Sequence, residues 1–110
     1  MEQAACQPER NQMAHPPATA TIQIDDARLR VTHWHFAPGQ ATGWHRHGMD
    51  YVVVPLTDGV LTIEDKGGNR QGYPISPDAP YARGAGVEHD VINLTDRPIE
   101  FLEIEKKPAP

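Results

Sequence analysis

Apolar and polar residues alternate over short stretches of this chain and seldom recur at helical spacing. Residues 21–24 (TIQI) read as a strand that stops at the turn pair Asp25-Asp26. Residues 28–36 predict the first long strand, closed by Pro38-Gly39. Alternation puts Thr32, Trp34 and Phe36 on one of its faces and Leu29, Val31, His33 and His35 on the other. The bulk of Trp34 and Phe36 makes theirs the expected interior face. Residues 42–47 predict a further strand, after which Gly48-Met49-Asp50 turns the chain. Tyr51-Val52-Val53-Val54 is almost continuously apolar, so both of its faces are expected to be covered. Pro55 has no N–H for a ladder and predicts a bulge or a sheet edge. Residues 60–64 alternate cleanly, and Asp65-Lys66-Gly67-Gly68-Asn69 predicts a hairpin leading into 70–75. Strands over 80–83, 87–94 and 98–105 complete the series, with Gly84-Ala85-Gly86 as a tight turn. On the last strand Ile99, Phe101 and Glu103 share one face, Leu102 and Ile104 the other. Short strands at this spacing predict an all-β sandwich or barrel.

Composition narrows the picture. A length of 110 residues suits one domain with a single core. Eleven prolines and nine glycines leave few stretches long enough for a helix. Residues 1–18, with Pro8, Pro16 and Pro17, predict a flexible N-terminal arm, and 19–107 a single domain. A net charge of −5 repels phosphate backbones, so no nucleic-acid partner is expected. No apolar run approaches the roughly 18–20 residues of a membrane helix, so no membrane partner is expected either. The start, Met1-Glu2-Gln3-Ala4-Ala5-Cys6, lacks the features of a secretory signal, and one cysteine cannot staple a fold; both predict a cytoplasmic location.

The candidate chemistry lies in Gly43-Trp44-His45-Arg46-His47. Side chains at i and i+2 of a strand leave the same face, with Cα atoms about 6–7 Å apart. Two imidazoles at that separation can converge on one ion about 2.0–2.2 Å from each nitrogen. Taken alone, His45 and His47 read better as two strand histidines with no ion. His89, from a remote strand, is the candidate third ligand. Neutral imidazole is the ligand form, so binding is expected to weaken as pH falls through about 6.5. His33 and His35 form a second such pair, but opposite Trp34 and Phe36 and with no third donor in view; they read as solvated or sheet-covering. Parity also turns Trp44 and Arg46 away from the ion. Tyr81 and Arg83 share a face just before the strand of His89. If that face looks inward, Arg83 can clamp a substrate carboxylate with a bidentate contact; otherwise it is a surface arginine paired with an acid.

Gly39, His45, His47 and Gly59 fit G-x5-H-x-H-x3/4-E-x6-G, the last glycine one place late. Gly86, His89 and Asn93 fit G-x5-P-x-G-x2-H-x3-N, with Gly84 in the usual place of proline and Asp78 in that of the first glycine. In these motifs residues 20–105 resemble the cupin family of double-stranded β-helix (jelly-roll) barrels. More narrowly, 42–57 is similar to small single-domain cupins of β-alanine degradation. The resemblance implies a jelly-roll barrel holding a divalent transition metal (Fe, Mn, Ni or Zn) on His45, His47 and His89. Where the family carries its glutamate this chain offers Tyr51, flanked by Asp50 and Val52. That implies a three-histidine centre, as in thiol dioxygenases and related enzymes, and a divalent ion whose +2 charge no ligand offsets. Tyr51 and Arg83 become the candidate catalytic residues, Tyr51 as a donor beside the ion or a distant ligand. Asp50 could ligate if its turn bends, and Asn93 is expected to bond backbone or the far nitrogen of a ligand histidine. The implied function is a dioxygenase-like enzyme acting on a small carboxylate or amino acid; the alternative is a non-catalytic cupin that binds or senses a small molecule or metal. Homodimers are implied too, the N-terminal segment being lent to the partner's sheet.

Overall fold

The computed structural model describes residues 15–109. The greater part of the predicted arm, with Cys6, lies outside them. Nine strands and no helix are found among the described residues: β1 (Thr19–Asp25), β2 (Leu29–Phe36), β3 (His45–Arg46), β4 (Asp50–Pro55), β5 (Gly59–Glu64), β6 (Arg70–Ile75), β7 (Tyr81–Arg83), β8 (Glu88–Ile92) and β9 (Ile99–Lys106). They form two antiparallel sheets ordered β1-β2-β9-β4-β7 and β3-β8-β5-β6. Crossing between the sheets at almost every turn makes this the all-β double-stranded β-helix that the motifs imply.

Register explains which side chains reach the interior. Across the larger sheet Trp34 pairs with Phe101 and Pro55, Thr32 with Glu103, Val53 and Tyr81, and Arg30 with Glu105, Tyr51 and Arg83. Paired residues share a face, so these three rows all look inward. Phe36, Tyr51, Val53, Leu61, Ile75, Val91, Ile99 and Phe101 form the core, with Trp34 packed against it. Tilted ring contacts join Phe36 to Trp34 at 5.8 Å and to Phe101 at 5.6 Å. The interior face expected for β2 is therefore the one observed. Facing the other way, His33 Nε2 lies 2.9 Å from Glu100 Oε1 on the outer surface.

Two local expectations need correction, and for Pro55 the sheet edge, not the bulge, is the alternative met. Tyr51 and Val53 are buried, but Val52 is 38% exposed, so the apolar run of β4 is covered on one face only. Pro55 makes no bulge. It ends β4 opposite Phe101, beyond Val53, where β7 stops pairing, so its missing N–H leaves no ladder bond unmade there. Regular pairing over 42–47 shrinks to His45–Arg46, because Gly43 takes φ +83° and turns the chain before the first histidine. The hairpin after β5 forms as expected, Asp65 Oδ1 accepting the Gly67 and Asn69 N–H groups at 2.9 Å each.

Pro16 and Ala18, at the described end of the arm, hydrogen-bond to Ala41 at 3.0 and 2.9 Å. Asn93 is fully buried. Its Nδ2 donates to Phe36 O and Arg97 O, and its Oδ1 accepts Thr95 N–H and Oγ1–H. Of its two expected roles, the bonds to the main chain are the ones made. Among the described residues no helix is long and apolar enough to cross a membrane.

Candidate metal centre

β3 and β8 lie side by side, with His45 directly opposite His89. The ladder runs one residue further than the strand: His47 N–H donates to Val87 O and Gly86 N–H to His47 O, both at 2.8 Å. This holds His47 in extended backbone, and its ring joins the other two. His45 Nε2 is 3.0 Å from His47 Nε2, which is 3.2 Å from His89 Nε2, and ligand atoms of the three rings lie within 4.8 Å of one another.

That spacing fits an ion. Nitrogens about 2.05 Å from one centre stand about 2.9 Å apart at right angles and about 3.3 Å apart at the tetrahedral angle. The His45–His47 and His47–His89 separations fall between. Protonation fits as well. His45 Nδ1 is 2.9 Å from Gly43 O and so carries the proton, leaving the Nε2 lone pair to face the cluster. Burial, reinforced by the neighbouring His45, holds His47 and His89 down to about 4. At neutral pH both are uncharged. Proton competition at these two rings thus begins near 4, well below the 6.5 expected for an ordinary imidazole.

Gly43 is what makes the His45 orientation possible. Its positive φ presents the carbonyl back to the ring, and its N–H donates to the buried Asp90 Oδ1 at 3.1 Å. Thr42 Oγ1 adds a contact of 3.2 Å to His45 Nδ1 and accepts Val91 N–H at 3.1 Å. Nothing in the bare spacing of histidines announces this support.

The rings open into a cavity of about 370 Å³ whose other walls include Trp34, Tyr51, Tyr73, Tyr81, Phe101 and Glu103. Tyr51 stacks flat on His47, with ring centroids 3.9 Å apart and 17° between planes. Burial, followed by the nearby Glu103 carboxylate, pushes its phenol up to about 12, so it remains a proton-bearing hydroxyl at neutral pH. Arg83 lines the same cavity. Its Cζ sits 4.8 Å from the Tyr81 ring centre and 5.3 Å from that of Tyr73, and its Nη1–H donates to Ala82 O. Among the described residues no carboxylate pairs with it. Arg46 does reach an acid, Glu88, at 3.8 Å on the outside, and Trp44 is 43% exposed.

Asp50 does not join the histidines. Its Oδ1 accepts Ala85 N–H at 2.9 Å and fixes the turn after β7. The carboxylate that does approach the centre is Glu103, with Oε2 3.9 Å from His47 Nδ1 and Oε1 accepting Trp34 Nε1–H at 3.4 Å. Burial, with the Glu105 carboxylate adding to it, pushes Glu103 up to about 7. Strand parity placed Glu103 beside Ile99 and Phe101. An acid on a core-facing position was the available signal, since carboxylates are rarely buried without a partner.

A jelly roll whose two sheets close around three convergent histidines is the architecture of a cupin, with a possible metal site inside it. No protein-family model matches the sequence. Over 92 residues, 84% of this chain and 96% of the other, it is 52% identical to the β-alanine degradation protein BauB of Pseudomonas aeruginosa. A crystal structure of a cupin domain from Bordetella pertussis superposes with TM-score 0.81 at 49% identity, covering 86% of this chain and 97% of that one. A cupin superfamily protein from Desulfitobacterium hafniense shares the fold at TM-score 0.65 and 15% identity, covering 98% and 94%. The chain belongs to the cupin family that includes the Pseudomonas protein.

Proposed function

We propose that this protein is a metal-dependent enzyme, dioxygenase-like in its chemistry, acting on a small carboxylate or amino acid bound between the three histidines and Arg83. One observation carries the reading: three imidazoles present their Nε2 atoms to a cavity with an arginine unpaired by any described carboxylate. Three protein nitrogens leave open positions on a transition metal, and a divalent ion there would supply Lewis acidity and, when redox-active, the electron traffic of an oxygenase. The chain's own residues supply the rest. Arg83 offers a fork of donors to a carboxylate, kept in place by the faces of Tyr73 and Tyr81. Trp34, Phe101 and the tyrosine rings shed water from the ligand's body. Tyr51, protonated and packed against His47, is placed to donate a hydrogen bond to charge that develops beside the histidines.

The name of the Pseudomonas relative points to acids of β-alanine breakdown as the first compounds to try. Iron-loaded protein is expected to take up oxygen with at least one of β-alanine, 3-hydroxypropionate, malonate and small amino thiols, forming a product visible by mass spectrometry. If calorimetry detects binding but no oxygen is consumed and every compound returns unchanged, the protein is a binding or sensing cupin instead.

Arg83→Met is expected to weaken a carboxylate ligand about tenfold, since a charge-assisted contact at a solvent-touched rim contributes about 1–1.5 kcal/mol. The matching uncharged amide should bind parent and variant alike. Equal affinity of parent and variant for the carboxylate would remove Arg83 from the site.

A further inference from the structure

The three-histidine centre has no carboxylate among its ligand groups. Yet its most buried member, His47, whose side chain is 5% exposed, points Nδ1 at a carboxylate on the opposite sheet. Among the described residues that Nδ1 has no hydrogen-bond partner within 3.5 Å, whereas Glu103 Oε2 stands at 3.9 Å, a small side-chain adjustment away. Buried ring nitrogens are seldom left unpartnered. Glu103 is built for the part. Its side chain is 13% exposed, and Trp34 anchors its other oxygen. Of the cations on the same face, Arg30 bonds Glu105 at 2.8 Å and Arg83 lies on the rings of Tyr73 and Tyr81.

We propose that Glu103 is a positioning residue for the metal centre: it accepts the Nδ1 proton of His47 and so supplies, through that ring, negative charge that no ligand provides. Two consequences follow from the chemistry of imidazole. A proton held on Nδ1 fixes Nε2 as the lone pair that faces His45 and His89. A carboxylate behind the ring also makes that lone pair a stronger donor, and the pair together offsets part of the +2 charge of a divalent ion. His45 receives the first service from Gly43 O, a neutral carbonyl, without the charge that Glu103 brings to His47.

The inference rests on the metal-centre reading, and one experiment separates the two. Zinc is titrated into chelator-treated parent protein in competition with a coloured chelator. If the parent takes up no zinc, the metal centre and this inference fall together. If it binds zinc, nitrogen-15 spectra of the zinc-loaded parent are expected to place a proton on His47 Nδ1, more deshielded than that on His45 Nδ1. Finding His47 ligated through Nδ1 would overturn the assignment without any substitution. Glu103→Gln, which keeps shape and removes charge, is expected to lower zinc affinity 10–100-fold. The His47 Nδ1 proton should shift upfield in that variant while His45 is unmoved. Glu103→Asp should fall between the two. Zinc affinity within twofold of the parent in a folded Glu103→Gln protein, with the His47 resonance unchanged, would refute the role and leave the metal centre standing.

Discussion

His47→Ala is expected to cut zinc affinity by two to three orders of magnitude while the barrel still folds. Structural zinc sites bind with about 10–16 kcal/mol shared among four ligands, so one imidazole is worth about 3–4 kcal/mol. The loss falls on the ion because His47 lies between the other two rings, within 3.2 Å of each Nε2. Its contribution to the fold is smaller. The main-chain bonds from His47 to Val87 and Gly86 survive the substitution, and what goes is the stack on Tyr51. An aromatic contact of that kind is worth about 0.5–1.5 kcal/mol beyond the area it buries. Elemental analysis paired with a thermal melt checks both halves. A variant that retains the parent's metal content would remove His47 from the ligand set, and one that fails to fold would make the ring structural.

The second large effect is a loss of stability in mild acid. In metal-free protein the folded state holds His47 and His89 at about 4, whereas the unfolded chain protonates them near 6.5. Between these values the unfolded state binds up to two more protons, so each histidine makes stability rise with pH. Glu103 works against them. Raised from 4.5 to about 7, it holds a proton when folded that it loses when unfolded, and its contribution falls as pH rises across that range. Asp90, also raised by burial, acts in the same sense as Glu103. Two protons against one leave stability rising by about 2 kcal/mol from pH 4.5 to 6.5, a gain that Asp90 softens. Urea midpoints of the chelator-treated protein should therefore climb steadily from pH 4.5 to 6.5. A flat or falling series would mean that the two imidazoles are not buried as neutral groups. Zinc should raise every midpoint in the series, since the ion binds the folded state.

Much of the site could be read along the chain, for identifiable reasons. Strand parity is local: it follows from backbone geometry at each residue, so the inward faces of β2 and β9 were legible from Trp34, Phe36, Ile99 and Phe101 alone. The histidine triplet was legible because an i, i+2 pair is a local signature and the spacing to Asn93 ties His89 to a known strand. Arg83 was harder. Parity put it beside Tyr81, but whether it meets an acid or an open cavity depends on which strands flank β7, and among the described residues β4 is the only neighbour on its row. Val52 failed in the same way: an apolar residue looks core-bound until the sheet shows what covers each face. Gly43 was recognisable as a turn residue, yet its carbonyl as the anchor of His45 Nδ1 is a matter of ångströms that no spacing encodes.

By itself the order of residues determined the all-β class, the inward and outward faces, and which three imidazoles share the site, because each rests on repeats of two or on short fixed spacings. The tertiary structure alone decided how close the Nε2 atoms come, that Asp50 serves a turn, and that Glu103 stands behind His47. Those are relations between strands that become neighbours only when two sheets close on each other, and a chain written in one dimension carries no distance across that gap.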